Sequence, residues 1–285
     1  MTAEQNGHDV RQAPRGGGGM TAFDEIYDRP DPRAFFTALG RWDYQTPHHA
    51  QAVFRSLVAA RRAAGLPDDR PVLDLCCSYG INAALLNHDV TLDELYAHYT
   101  SPDAAALSTA ELAARDRAFY TARRRADAVP VIGLDVAANA LAYARSVGLL
   151  DAGFAENLET SPPSPELLRA VRETGLITVT GGVSFLSGRT FRALLDAAGS
   201  PVWVASFVLR TGSYEDVARA LAGYGLVTRS AAEPTFRQRR FTDEAERGHA
   251  VAAVAALGLD PRGKEADGWF HTALHLSRPA AAPRP

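Results

Sequence analysis

The chain has 285 residues, of which 46% are hydrophobic and 22% charged, and a formal net charge of −3. It is long enough to bury a sizeable core, and its charge balance gives no electrostatic reason to expect binding to nucleic acid or to an anionic membrane. No apolar run approaches the roughly 20 residues that span a bilayer, and the N-terminus lacks a signal-peptide core, so a cytoplasmic protein is expected.

The first 20 residues carry Gly16 to Gly19 and no periodic apolar pattern, which reads as a disordered leader. Residues 21–65 read as an N-terminal helical cover. Pro32 to Leu39 forms a short helix stopped by Gly40, and Thr46-Pro47 opens a longer one with Gly65 past its end. Val53, Phe54, Leu57 and Val58 share one face of that helix. In the aromatic and polar stretch between the two, Trp42 and Tyr44 serve equally well as core anchors.

Next comes the stretch Pro71 to Leu86. An apolar run breaks into small residues from Cys76 to Gly80 and resumes with Ile81, Ala84 and Leu85 at helical spacing, which is a strand, a tight turn and a helix. Such a turn directs free backbone N–H groups and the positive end of a helix dipole out of the sheet's carboxyl edge. The two cysteines, Cys76 and Cys77, are neighbours. They cannot form a four-ligand zinc site, and as a pair would close only a strained disulfide, so no metal is expected and both thiols read as reduced and packed.

Gly80 and the next strand-terminal acid, Asp135, are 55 positions apart, against about 20 in a compact βαβ unit. The excess is a helical insertion, residues 88–127, with start signals at Thr91-x-x-Glu94, Ser101-Pro102 and Ser108-x-x-Glu111. It reads either as a lid supplying His88, Tyr96, His98, Tyr99 or Tyr120 to a pocket, or as a decorative hairpin with a solvated arginine face. Beyond it strands and helices alternate: Val131 to Asp135, Ala137 to Val147, Ala152 to Leu158, a helix from Ser164, Gly175 to Thr180, Ser187 to Ala198, Pro201 to Leu209 and Ser213 to Tyr224. Two β-like runs close the domain, Leu226 to Phe241 interrupted by Pro234, and Trp269 to Arg278, with a helix over Thr242 to Leu257 between them.

Asp74 lies six residues before Gly80, and this spacing resembles the Asp/Glu-x-Gly-x-Gly-x-Gly pattern of class I S-adenosylmethionine-dependent methyltransferases, with Cys76 and Ser78 in two glycine places. Val131 to Asp135 is similar to that family's second strand. The likeness in arrangement covers residues 65 to 278. It implies an α/β fold with a doubly wound seven-stranded sheet, order 3-2-1-4-5-7-6 with the last strand antiparallel, over residues 66–278, and a disordered tail at 279–285. It also implies S-adenosyl-L-methionine as cofactor.

By the same resemblance Asp74, Cys76, Cys77, Ser78 and Gly80 line the turn, and Asp135, with Val136 beside it, holds the ribose hydroxyls. Asn157 and Leu158 read the adenine, with Glu156 or Glu159 as alternative polar contacts, while Thr180 and Gly181 face the sulfonium and Tyr44 or Gln45 touches the cofactor from the cover. Thr180-Gly181-Gly182 stands where nucleobase methyltransferases carry an Asn-Pro-Pro-Tyr type signature, which implies a small-molecule acceptor and no nucleic acid. Ser184 and Arg210 are substrate-contact candidates. A general base is sought first at His88 and His98, whereas His271 and His275 read as structural. Two other readings stay open: the same fold using S-adenosylmethionine for aminocarboxypropyl transfer or cyclisation, and a non-catalytic methyltransferase-like subunit. The oligomeric state is open, a homodimer included.

Overall fold

A computed structural model describes residues 19–21, 23–65, 70–199 and 202–280. The leader and the tail expected at the two ends lie outside these residues, apart from Gly19, Met20, Pro279 and Ala280. Eight strands among them make one sheet: β1 (Val72–Leu75), β2 (Val131–Asp135), β3 (Ala152–Ala155), β4 (Leu176–Thr180), β5 (Trp203–Leu209), β6 (Leu226–Ser230), β7 (Phe236–Arg240) and β8 (Trp269–Pro279). Their order is β3-β2-β1-β4-β5-β8-β6, with β7 also on β8. The first five strands are mutually parallel and β8 runs antiparallel to β5.

Strands β6 and β7 share one edge of β8, β6 against Ser277 and its neighbours and β7 against Thr272 and its neighbours. They are one strand broken at residues 231–235, where Pro234 has no N–H for a ladder bond. With the broken strand counted once, the order is the expected 3-2-1-4-5-7-6, and the eighth strand is the product of the break.

The parallel strands are apolar on both faces because helices cover both. One core packs Val72, Val131 and Leu176 under the helices Arg33–Gly40, Thr46–Ala63, Ile81–Asn87 and Ala138–Ser146. The other packs Leu73, Leu75, Ile177 and Val179 under Pro165–Val171, Gly188–Ala197 and Glu215–Ala222. Alternation along β1 therefore turns Asp74, with its register partners Gly133 and Thr178, toward the first of these layers. No helix among the described residues is long and apolar enough to cross a membrane.

The insertion folds as three helices, Leu92–Thr100, Pro102–Ala106 and Thr109–Arg123, and both expected capping boxes form. Its ends are closed by a bridge between His88 and Arg124 and by the Asn87 side chain, which bonds both backbone groups of Val129. Fully buried Asp116 accepts from the hydroxyls of Tyr99 and Tyr143 at 2.7 and 2.6 Å, with His98 Nε2 at 2.7 Å from its other oxygen. Tyr143 belongs to the helix after β2, so these bonds fasten the insertion to the sheet domain. Asp116→Ala would strand the buried Tyr143 hydroxyl and an imidazole and leave the Tyr99 hydroxyl only its bond to Tyr120, and is expected to lower unfolding free energy by on the order of 3 kcal/mol in urea titration, against about 1 kcal/mol for Tyr143→Phe.

Candidate functional site

The turn after β1 carries left-handed backbone at three alternate positions: Cys76 (φ 53°), Ser78 (φ 48°) and Gly80 (φ 74°). These are the three glycine places of the sequence pattern. The chain keeps the glycine loop's shape while filling two of its positions with side chains, at roughly 1–2 kcal/mol of strain per residue. Glycines elsewhere make room for the cysteines. A Cβ on Gly182 would stand 2.4 Å from that of Cys76, and one on Gly133 would stand 2.6 Å from the Cys77 sulfur. Cys76 is thus turned toward the segment after β4, its sulfur 3.9 Å from the Gly182 carbonyl. Burial pushes both thiols well above their ordinary values, so neither is an activated nucleophile.

Asp135, at the end of β2, ties this turn to the next helix. Its carboxylate accepts from Ser78 N–H at 2.8 Å and from Ala137 N–H at 2.9 Å, one bond per oxygen, which leaves a lone pair on each. Val136 beside it is 66% exposed, an apolar face offered at the carboxyl edge of the sheet. Strand β3 stops at Ala155, shorter than the run Ala152 to Leu158 suggested, because Glu156 leaves it to bind the N–H and hydroxyl of Ser164. Glu159 likewise accepts from Ser187 and Thr190. Both glutamates are committed to helix starts. Asn157 is exposed with its Oδ1 on Glu159 N–H, and Leu158 is buried in the second core.

Asp74 is 1% exposed and sits beneath the turn. Asn82 Nδ2 bridges its two oxygens at 3.0 and 3.1 Å and reaches Thr180 Oγ1 at 2.9 Å, while Thr178 Oγ1 donates to Asp74 at 2.7 Å. Desolvation outweighs these bonds and, with the Asp135 charge, pushes the Asp74 carboxyl up to about 7. Ser78 Oγ and Asn82 Oδ1 are buried without a hydrogen-bond partner among the described residues. Unsatisfied buried oxygens beside a strained turn mark a place where a ligand completes the bonding.

The cover closes over this edge. Tyr79, from the turn, accepts from Arg29 N–H at 2.8 Å, and Asp28 bonds Asn139 N–H at 2.7 Å at the start of the helix after β2. Arg240 N–H donates to the Trp42 carbonyl and Gln45 N–H to the Gln238 carbonyl, both at 2.7 Å, so residues 42–45 lie along β7. The Tyr96 hydroxyl donates to the Tyr44 carbonyl at 2.8 Å, and the Tyr44 hydroxyl is 3.1 Å from where a Cβ on Gly181 would be. Tyr44, Asp74, Cys76, Ser78, Gly80, Asp135, Thr180 and Gly181 are thereby drawn to one edge of the sheet.

Neither expected base comes to that edge. His88 is 1% exposed, bonded to the Ala84 carbonyl, and stands at the far end of the helix Ile81–Asn87, about 10 Å from the turn at 1.5 Å per residue. His98 is held by Asp116. Arg210 is equally committed, to Glu265 at 2.5 Å and the Asp260 carbonyl at 2.8 Å. His275 packs on the Tyr214 ring, and His271, pushed down to about 4 by burial and by the Arg210, Arg237 and Lys264 charges, bonds Thr235. Sequence reasoning missed Asn82, Thr178, His49 and Gln238. Asn82 carried a signal, a polar residue on the inward face of an otherwise apolar helix. An apolar hollow of about 370 Å³, lined by Leu195, Val202, Tyr224 and Pro279, lies at the other edge of the sheet and has no part in this site.

No known protein family matches the chain by sequence, and no curated protein does. Among solved structures, the plantazolicin methyltransferase BpumL in complex with SAH is similar over 90% of this chain and 93% of its own, at 7% identity and TM-score 0.45. Precorrin-6y C5,15-methyltransferase from Geobacter metallireducens GS-15 matches 79% of this chain and 87% of its own, at 9% identity and TM-score 0.39. Magnesium protoporphyrin IX methyltransferase (ChlM) from Synechocystis PCC 6803 with bound SAM matches 80% and 79%, at 12% identity and TM-score 0.38. These are distant likenesses of chain course.

Two outcomes test the turn. Ser78→Gly removes a left-handed side chain and an unpaired hydroxyl, and is expected to raise unfolding free energy by about 1 kcal/mol after the entropy that glycine adds to the unfolded chain, measured by thermal denaturation. For Asp74 the folded state takes up its proton at higher pH than the unfolded chain, so its contribution falls as pH rises from about 4 to about 7. Asp74→Asn is expected to gain stability relative to the parent across that window, read by urea titration at stepped pH.

Proposed function

We propose that the chain is an S-adenosylmethionine-dependent methyltransferase acting on a small-molecule acceptor. The observation that carries this reading is the turn itself: left-handed backbone at residues 76, 78 and 80, with the Asp135 carboxylate fixed beside it. The residues suit the donor end to end. Asp135 has a free lone pair on each oxygen for two ribose hydroxyls, Val136 offers an apolar face to the adenine, and the exposed Asn157 and the backbone N–H of Leu158 suit its polar edge. Asp74, buried with only the neutral Asn82 and Thr178 side chains as partners among the described residues, suits the donor's ammonium group, and Ser78 Oγ suits a polar contact with its carboxylate.

When bound, the sulfonium supplies an electrophilic methyl group. The chain's own work is alignment and exclusion of water, which supply much of the rate enhancement in such a transfer. Tyr44, clamped by Tyr96 and the β7 pairing, holds the roof above Gly181. Both thiols are free, which suits a cytoplasmic setting.

Calorimetry tests the reading. S-adenosylhomocysteine is expected to bind the parent and to lose about 100-fold in affinity with Asp135→Ala at an unchanged circular dichroism spectrum, the cost of two charge-assisted hydrogen bonds. Parent affinity is expected to rise between pH 6 and pH 8 as Asp74 ionises against the ligand's ammonium, a dependence that Asp74→Asn removes. Absence of binding to the parent, or equal binding by Asp135→Ala, overturns it.

A further inference from the structure

Beside the roof residue Tyr44 lies a second group of unsatisfied polar atoms that the donor does not use. Gln238, on β7, is 5% exposed, and its Oε1 is buried with no partner among the described residues. Its Nε2 is 3.8 Å from where a Cβ on Gly181 would be, the same point the Tyr44 hydroxyl approaches to 3.1 Å. Phe236, two residues earlier on β7, carries the ring of His49 at 5.5 Å between centroids. His49 Nε2 is also buried and unpartnered among the described residues. Two orphaned polar atoms thus lie along the seam between the helix Thr46–Ala63 and β7, Gln238 beside Gly181 at the end of β4 and His49 beside Phe236.

We propose that this seam opens as the acceptor subsite, and that it takes an uncharged acceptor with a flat apolar body whose O–H or N–H groups are read by Gln238 Oε1 and His49 Nε2. This deepens the methyltransferase reading and rests on it. The half-buried rings of Phe236 and Tyr44 supply apolar contact, Phe236 backed by the core ring of Phe207, which it meets edge to face at 5.2 Å. Charge is what the seam lacks. Burial first, then the His48 and Arg237 charges, push the His49 imidazole down, so it is neutral at neutral pH. Arg237 is exposed and stacks on Trp269 at 4.7 Å, on the other side of β7. Asp74, which shares the field at Tyr44, is the group assigned above to the donor's ammonium and is spent on it when the donor is bound. A charged acceptor would therefore be desolvated without a counter-charge, whereas a neutral donor group satisfies atoms that are otherwise orphaned.

The test uses phenol, benzoate and benzylamine as probes of one size and three charges, titrated into the full chain with and without S-adenosylhomocysteine and followed by saturation-transfer NMR. Phenol is expected to bind the parent more tightly than either charged probe, and to weaken by about fivefold or more in both Gln238→Leu and His49→Leu. S-adenosylhomocysteine affinity is expected to stay within about twofold of the parent in both variants, which also reports that they fold. No phenol binding to the parent, equal phenol binding by the parent and the variants, or a preference for benzoate or benzylamine overturns the subsite. If the phenol pattern holds while S-adenosylhomocysteine binds none of the three proteins, the methyl-donor reading fails and the neutral subsite stands.

Discussion

The carboxylate of Asp135 holds together three segments that sequence separates widely: the turn after β1, the end of β2 and the start of the helix Ala138–Ser146. It does so with two charge-assisted bonds to backbone N–H groups. Left-handed backbone at Cys76 and Ser78 is unfavourable for residues with a Cβ, and the Ser78 bond fixes the central of the three left-handed positions. The compensations extend outward, since Gly133 and Gly182 are bare where the cysteine side chains press on them. A strained loop, an acid and two distant glycines thus form one mutually dependent unit.

The insertion and the N-terminal cover are part of that unit. The Asp116 cluster anchors the insertion to the helix after β2, and Arg33 links the cover to the insertion by donating to the carbonyls of Ala104 and Leu107. Asp31 reinforces the joint by accepting from Arg33 and Thr109. The 40-residue excursion therefore acts mainly as a buttress: through Tyr96 it braces Tyr44, and its histidines and other tyrosines are spent on internal bonds. Of its side chains named as pocket candidates, only Tyr96 reaches the residues around Gly181.

Much of this was legible in the sequence. Apolar runs bounded by proline and glycine gave the strands of the parallel sheet, and the Thr91 and Ser108 boxes gave the insertion's helix starts, because both signals are local. The Asp74 and Asp135 spacing located the turn. What local pattern conceals is partnership across the sheet. Histidine chemistry drew attention to His88 and His98, yet a ring's role depends on what it meets: His88 meets a helix carbonyl and His98 meets Asp116. Arg210 looked available at a strand end and is spent on Glu265, 55 positions away. Gln238 was hidden in the arginine-rich run of β7, where nothing in the periodicity sets it apart from its neighbours.

The break between β6 and β7 carries a further meaning. The sheet's outer edge is fastened at one end by β6 and left to a separate short segment at the other. Phe236–Arg240 pairs with the cover through Trp42 and Gln45 and with the helix Glu244–Ala256 through the buried Arg239–Glu246 ion pair, so the break lets one short segment join the wall beside Gly181, the cover and the last helix while β6 closes the other half of the sheet edge.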